Sequence, residues 1–170
     1  IMMVTPRSEN ESGMKAINRG FFASAFISAA AAFVISGIYL DSYKPAIAVS
    51  IGLVLAAVIQ ALTQYFTDTK YKPVQEIAES TVTGPATTIL SGISIGLEST
   101  VYSALILAGA IVSAYYLGGT TAERLYFIAL AGMGMLTTVG VVVSMDTYGP
   151  ISDNAQGIAE MTGEFEGRPA

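Results

Sequence analysis

Three carboxylates, Asp146, Asp153 and Glu160, recur every seven residues in the run Met145 to Met161. On a helix that spacing places all three on one face. The run follows directly on a charge-free apolar stretch, Leu125 to Met145. Acids at the end of a membrane helix, facing one way, are costly to desolvate and mark a functional site by default. Such a row of oxygen ligands suits a hard cation such as magnesium and, through it, a phosphate. Gly149 and Pro150 lie between the two aspartates. Proline has no N–H to give the carbonyl of Asp146, so a loosened or kinked helix is expected there. Asn154 adds a neutral oxygen ligand beside Asp153. The Asp-x-Asp-x-Asp-Gly ladder of an EF-hand is missing. Glu160, and Glu164 and Glu166 beyond it, read more simply as acids on a solvated helix end.

Two other segments mix chemically useful residues. Gln64 to Ser80 combines Tyr65, Phe66, Tyr71, Asp68, Lys70, Lys72, Glu76 and Glu79 within a short stretch. Pro73 suits a helix start over Val74 to Ser80. The segment reads either as an interfacial aromatic belt with lysine anchors or as a scaffold near an anionic substrate. Thr83-Gly84-Pro85-Ala86-Thr87-Thr88 has Gly-Pro and hydroxyls but lacks the Gly-Lys-Ser/Thr of a P-loop. It reads best as the start of a helix.

The elements that must position these residues follow from composition. Of the 170 residues, 52% are hydrophobic and only 12% charged, about half the charge of an average soluble domain. Charges are absent from Gly20 to Leu40, Pro45 to Thr67, Ser99 to Ala122 and Leu125 to Met145. Each stretch reaches the roughly 20 residues that cross a bilayer. The fold class expected is therefore all-α, a polytopic transmembrane bundle with four spans in this segment, part of a larger bundle. Its expected parts are a cytoplasmic polar segment 1–19, spans at 20–40 and 45–67, and a cytoplasmic loop 68–83. Then come a long helix with the third span within 84–122, a fourth span running into the acidic motif over 125–161, and a polar tail 162–170.

The stretch 84–97 is apolar but too short to cross, so it is assigned to the long helix rather than to a fifth span or a re-entrant segment. Gly92 and Gly96 make a small-xxx-small pair that permits close helix packing, and Gly132, Gly134 and Gly140 invite the same in span four. With four spans, six of the eight Lys and Arg residues fall on one side. The positive-inside rule then puts the N-terminus, the 68–83 segment and the acidic motif in the cytoplasm of a multi-pass membrane protein. The chain begins Ile-Met-Met and stops in a polar stretch, which reads as an internal piece of a longer protein.

Cysteine and histidine are both absent. Thiol catalysis, haem ligation, the usual zinc sites and histidine acid–base chemistry are excluded within the segment. A net charge of −5 argues against nucleic acid as a partner.

The run Asp146-Thr-Tyr-Gly-Pro-Ile-Ser-Asp-Asn-Ala-Gln-Gly-Ile-Ala-Glu-Met resembles the signature of the membrane-integral pyrophosphatases, ion pumps driven by pyrophosphate hydrolysis. The stretch from Tyr65 to Ser80, with Thr83-Gly-Pro-Ala-Thr after it, is similar to a second stretch of that family at the matching distance upstream. The resemblance covers about Ala61 to Met161; the first sixty residues fit in hydropathy alone.

It implies a bundle of about sixteen transmembrane helices, usually a homodimer, of which this chain is a central portion. It implies magnesium-bound inorganic pyrophosphate held on the cytoplasmic side, and export of protons or sodium ions through the lipid bilayer. By the same resemblance Asp153 matches a magnesium-site residue. Asp146 lies deeper, between hydrolysis and ion transport, as a second candidate metal or ion-path residue, and Asn154 is a further candidate ligand. No catalytic residue is assignable: the family's Asp-x-x-x-Asp and lysine motifs are outside this chain. Potassium is a possible activator in the family, and Gln156, where many members carry Gly, leans towards its potassium-independent branch. Gln64 stands where relatives often carry Glu.

Two other readings fit the composition. A secondary transporter or cation channel would line an ion path with Asp146 and Asp153 at a broken helix. A non-catalytic assembly protein would leave both acids solvated.

Overall fold

The computed structural model describes residues 13–163. Residues 1–12 of the expected polar segment, and Glu164 and Glu166 in the tail, lie outside the described residues. Every element among the described residues is helical: α1 (Gly13–Tyr39), α2 (Lys44–Thr67), α3 (Lys72–Ser80), a 3-10 turn at Thr81–Thr83, α4 (Pro85–Tyr115), α5 (Thr121–Leu136) and α6 (Val139–Met161). Four helical stretches are long and apolar enough to cross a membrane, with α5 and α6 together making the fourth.

Prolines open three helices. Pro45, Pro73 and Pro85 occupy first-turn positions of α2, α3 and α4, where the missing N–H costs no intrahelical bond. Gly84 precedes α4 with φ of 118°, a conformation that L side chains rarely adopt. The 31 residues of α4 reach about 46 Å at 1.5 Å per residue. The stretch 84–97 therefore forms the N-terminal part of the same helix that carries the third apolar run.

The chain divides into two compact units. Among the described residues, one comprises 13–26 and 138–163; the other is Ile27–Thr137. In the second unit α2 packs mainly on α5 and next on α4, while α3 lies on α4. Ala46, Ala48, Leu53, Leu55, Phe66, Ile95, Ala114, Phe127 and Ala131 are buried there.

The α2–α5 seam is made by glycine. A Cβ on Gly52 would run into the carbonyl oxygen of Ala131 and lie 2.7 Å from the Met135 nitrogen. A Cβ on Gly134 would run into the carbonyl oxygen of Val49 and lie 3.0 Å from its Cα. The two backbones thus touch with no side chain between them, the contact that small residues allow between membrane helices. Gly92, Gly96, Gly132 and Gly140 meet nothing within 4 Å. Of the glycines expected to mediate close packing, only Gly134 does so among the described residues. Gly52, in α2, is its counterpart.

The α1–α2 turn carries Asp41 at φ 46°, and the Tyr43 ring lies against Gly37 and 6.3 Å from the Phe33 ring. In the first unit Ile17, Phe21 and Thr138 are buried, and Ser24 donates to the Phe21 carbonyl at 2.9 Å.

Much apolar surface stays open. Leu105 is 65% exposed, and Ile111, Val112, Phe26 and Ile38 are exposed with it. Apolar area on this scale is tolerated in lipid or against further helices and is unfavourable in water.

Candidate functional site

The acidic run lies on α6, which continues as helix through Pro150 to Met161. The break in the fourth span falls earlier, at Thr137 and Thr138, where α5 ends and α6 begins. Pro150 lies inside α6, with helix on both sides of it. Proline in a long helix removes one backbone bond, here to the Asp146 carbonyl, and the turns on both sides hold.

Asp146, Asp153, Asn154 and Glu160 are all exposed. Glu160 is engaged: its Oε1 accepts from Gln156 Nε2 at 2.8 Å. That pair, one turn apart, fits the reading of Glu160 as a local helix-end acid. Asp146, Asp153 and Asn154 make no side-chain hydrogen bond or ion pair among the described residues. Thr147 and Ser152 turn their hydroxyls back onto the Val143 and Gly149 carbonyls, at 2.9 and 2.8 Å, so they do not compete for a ligand at the aspartates.

Seven residues on a helix advance about 10 Å. A cation takes its oxygen ligands at about 2.0–2.6 Å, so Asp146, Asp153 and Glu160 cannot share one ion. Accordingly, no group of three or more acidic residues able to hold a metal occurs among the described residues. The row is three separate positions along one face. Asp153 and Asn154 are consecutive on α6, so their side chains leave the helix about 100° apart, and neither has a side-chain partner among the described residues. Asp153 fits one ligand of a hard-cation site whose other ligands come from substrate, water or other helices, and Asn154 is a separate oxygen donor on the neighbouring face.

The 64–80 segment is built differently from the acidic row. Asp68 Oδ1 accepts from the Lys70 N–H at 3.0 Å, and the Tyr71 N–H reaches the Asp68 carbonyl at 3.1 Å. Asp68 is therefore a turn former. Gln75 Nε2 holds the carbonyls of Thr69 and Lys70, both at 3.3 Å. Tyr65 packs on Phe66 and Tyr71 with ring centroids 5.2 and 5.3 Å apart, and Phe66 reaches Tyr102 of α4 at 6.1 Å. Aromatic contact thus fixes the α2–α3 turn onto α4.

At the 3-10 turn, the Thr83 and Thr87 hydroxyls share a 2.6 Å hydrogen bond. Thr87 and Thr88 also donate to the Gly84 carbonyl, at 2.7 and 3.0 Å. These hydroxyls serve the helix start, as the sequence reading favoured.

A charged cluster that sequence reasoning passed over joins α4 to α5. Thr120 caps α5: its Oγ1 accepts from the Glu123 N–H, and the Glu123 carboxylate reaches back to the Thr120 N–H, both at 3.3 Å. Glu123 also accepts from the Gly119 N–H at 2.7 Å. The Gly119 and Thr120 N–H groups, with a smaller contribution from Lys44, hold this carboxyl below its ordinary value, against a weak desolvation effect. Glu123 precedes the apolar run that begins at Leu125. Arg124 lies 4.5 Å above the Tyr115 ring, donates to its hydroxyl at 2.7 Å and donates to the Gly118 carbonyl at 3.2 Å. The Thr-x-x-Glu spacing was the available signal for this cap.

Comparison with known proteins adds a family. The model of the family described as "Inorganic H+ pyrophosphatase" matches residues 1–168. A "K(+)-insensitive pyrophosphate-energized proton pump" of Streptomyces coelicolor is 53% identical over all of this chain and 24% of its own length. A protein of the same description from Streptomyces avermitilis is 48% identical over the same shares. A "K(+)-insensitive pyrophosphate-energized proton pump 2" of Moorella thermoacetica is 41% identical over 97% of this chain and 25% of its own length. The chain thus spans about a quarter of the length of these relatives.

Proposed function

The chain belongs to the inorganic H+ pyrophosphatase family, and from that premise we propose that it is the central portion of a pump coupling pyrophosphate hydrolysis to ion export. The four apolar helical stretches and the family make it a multi-pass membrane protein. In the proposed orientation α6 carries Asp153 out of the membrane on the cytoplasmic side, the side that gathers most of the Lys and Arg residues.

Asp153 would hold magnesium there, and bound magnesium neutralises the phosphate oxygens and polarises the bridging bond. Asp153 orients and fixes the charge at one edge of the substrate site. Asp146, about 10 Å deeper along the same helix face, places a carboxylate between that site and the membrane interior. The α2–α5 seam and the aromatic ties of the α2–α3 turn keep the supporting helices in place. The lysines and remaining aspartates that complete the site would come from the rest of the pump, which we take to be a homodimer in the lipid bilayer.

The observation that carries this reading is an exposed Asp153, without a side-chain partner among the described residues, on a membrane helix whose whole sequence matches the family. The exported ion is proposed to be the proton, with sodium as the alternative. The relatives' potassium-insensitive descriptions agree with the lean drawn from Gln156, so hydrolysis is expected to proceed without potassium.

The test uses the full pump containing this segment in membrane vesicles. Magnesium-dependent phosphate release from pyrophosphate and vesicle acidification are followed together, with and without potassium. Both signals should be present in the native pump and lost in Asp153→Asn. Ion flux without pyrophosphate would instead support the secondary-transporter or cation-channel reading, for which the break between α5 and α6 is the favouring observation.

A further inference from the structure

We propose that the slot between α2 and α4 holds one acyl chain of a phospholipid whose phosphate rests on Lys44. The inference rests on the chain's being a membrane protein and not on the pump reading.

The slot offers about 380 Å³ and is open on one side. Ile47, Ile51, Val54 and Val58 of α2 form one wall, and Ile106 and Ala110 of α4 stand opposite. Both helices belong to the same compact unit. The α2 residues recur at intervals of four, three and four, so they make a continuous stripe on one helix face. Two serines also line the slot, and both already donate to their own helix. Ser50 donates to the Ala46 carbonyl at 2.8 Å and Ser113 to the Gly109 carbonyl at 2.7 Å. The slot thus presents apolar contact and no free hydroxyl proton. That suits a hydrocarbon chain and penalises a polar ligand.

Its length favours the same occupant. From Ile47 to Val58 the stripe runs about 16 Å along α2, against about 15 Å for the hydrocarbon of one leaflet. Beyond it the gap closes: Phe66 of α2 meets Tyr102 of α4, one turn before Ile106, with ring centroids 6.1 Å apart. A transmembrane helix needs a face about twice that long, so the slot fits an acyl chain of one leaflet better than a spanning helix.

Charge supplies the headgroup end. Lys44 opens α2 three residues before Ile47, so it lies on the same helix face, about 5 Å beyond the slot. Its side chain makes no hydrogen bond or ion pair among the described residues. Glu123 feels its charge, but that carboxylate is already held by the Gly119 and Thr120 N–H groups. The positive end of the α2 dipole also attracts an anion here. Tyr43 caps α2 and Tyr116 ends α4 at the same end of the bundle, both exposed, as tyrosines are at a membrane interface. A phosphate on Lys44 therefore brings its acyl chain to the mouth of the slot.

The experiment uses the full pump containing this segment, in vesicles of phosphatidylethanolamine and phosphatidylglycerol. The vesicles are doped with a phosphatidylcholine that carries a diazirine in one acyl chain. After illumination the labelled residues are mapped by mass spectrometry, with labelling of the rest of the pump as the reference. The native pump should be labelled at Val58 and Ile106 above that reference. Lys44→Gln should lower this excess about two- to fivefold, the usual weight of one exposed ion pair, and Lys44→Arg should restore it. Val54→Trp, which fills the slot from an exposed position, should remove labelling there and leave the reference unchanged. Labelling at Val58 and Ile106 no higher than the reference means bulk lipid and overturns the proposal. No labelling there while the reference is labelled means that another helix covers the slot, and overturns it equally. An excess that survives Lys44→Gln overturns the placement of the phosphate. The reference also reports folding: should Lys44→Gln disturb it, the native excess and its loss in Val54→Trp decide.

Discussion

Replacing Gly52 with alanine introduces one methyl group where no room exists. The new Cβ would sit inside the contact distance of the Ala131 carbonyl oxygen, with the Met135 nitrogen at 2.7 Å and the Ala131 carbonyl carbon at 2.9 Å. Ordinary van der Waals contact at a Cβ begins at 3.4 Å. All three obstructing atoms are backbone, so no side chain can turn aside. The helices must separate by about 1 Å along the whole crossing, loosening contacts of Leu53, Ala56, Phe127 and Ala131 that are buried in this unit. Overpacking of this kind costs about 1–3 kcal/mol, and the upper part of that range applies because backbone cannot repack.

Alanine's better helix propensity returns at most about 1 kcal/mol, so Gly52→Ala should be net destabilising by about 1–2 kcal/mol. Gly134→Ala meets the Val49 backbone and should behave alike. Gly132→Ala, on the same helix with nothing within 4 Å, provides the comparison and should be neutral or mildly stabilising. The assay is thermal or denaturant unfolding of the full pump in one detergent, all variants side by side. The two replacements together should be less costly than their sum, since separation needed for one also relieves the other. If Gly52→Ala and Gly132→Ala unfold alike, the α2–α5 backbone contact is wrong.

The remaining expectations are narrower. Gly84→Ala forces a side chain into φ of 118° ahead of Pro85, and should cost about 1–3 kcal/mol; the same melts should show it, although nothing lies within 4 Å to clash. Thr120→Ala removes the α5 cap and should cost about 1 kcal/mol. Glu123 should make stability acid-sensitive. Its carboxyl is held below the ordinary value when folded, so its stabilising effect is complete above the ordinary carboxylate range and is lost as pH falls through the folded value. The stability difference between native and Glu123→Gln pumps should therefore be present at neutral pH and vanish in acid; a difference independent of pH would refute the capping role.

The spans were readable because charge-free runs of membrane length have few alternatives in composition. The acidic face was readable because seven-residue spacing on a helix needs no tertiary information. Helix contacts were not readable in this way. α2, α4 and α5 are apolar on nearly every side, so periodicity does not say which face meets a neighbour. Gly52 and Gly134 look no different in sequence from Gly92 and Gly132, and only the crossing of α2 with α5 separates them. The end of α5 within the expected fourth span was not readable either. Proline is the strongest local breaker, yet α6 continues on both sides of Pro150. The interruption falls at two threonines directly after a backbone contact that constrains α5.

The one-dimensional layout of α6 bears on coupling. Asp146 and Asp153 are too far apart to share an ion, so neither senses the other's ligand by direct contact. They do share one helix, α6, which is continuous from Val139 to Met161. At about 10 Å along that helix the Coulomb interaction between two exposed carboxylates is weak and screened, so charge alone couples them poorly. Any coupling between the outer and the inner acid of the proposed pump therefore has to run through the helix that carries both, or through the helices and ligands that pack on it.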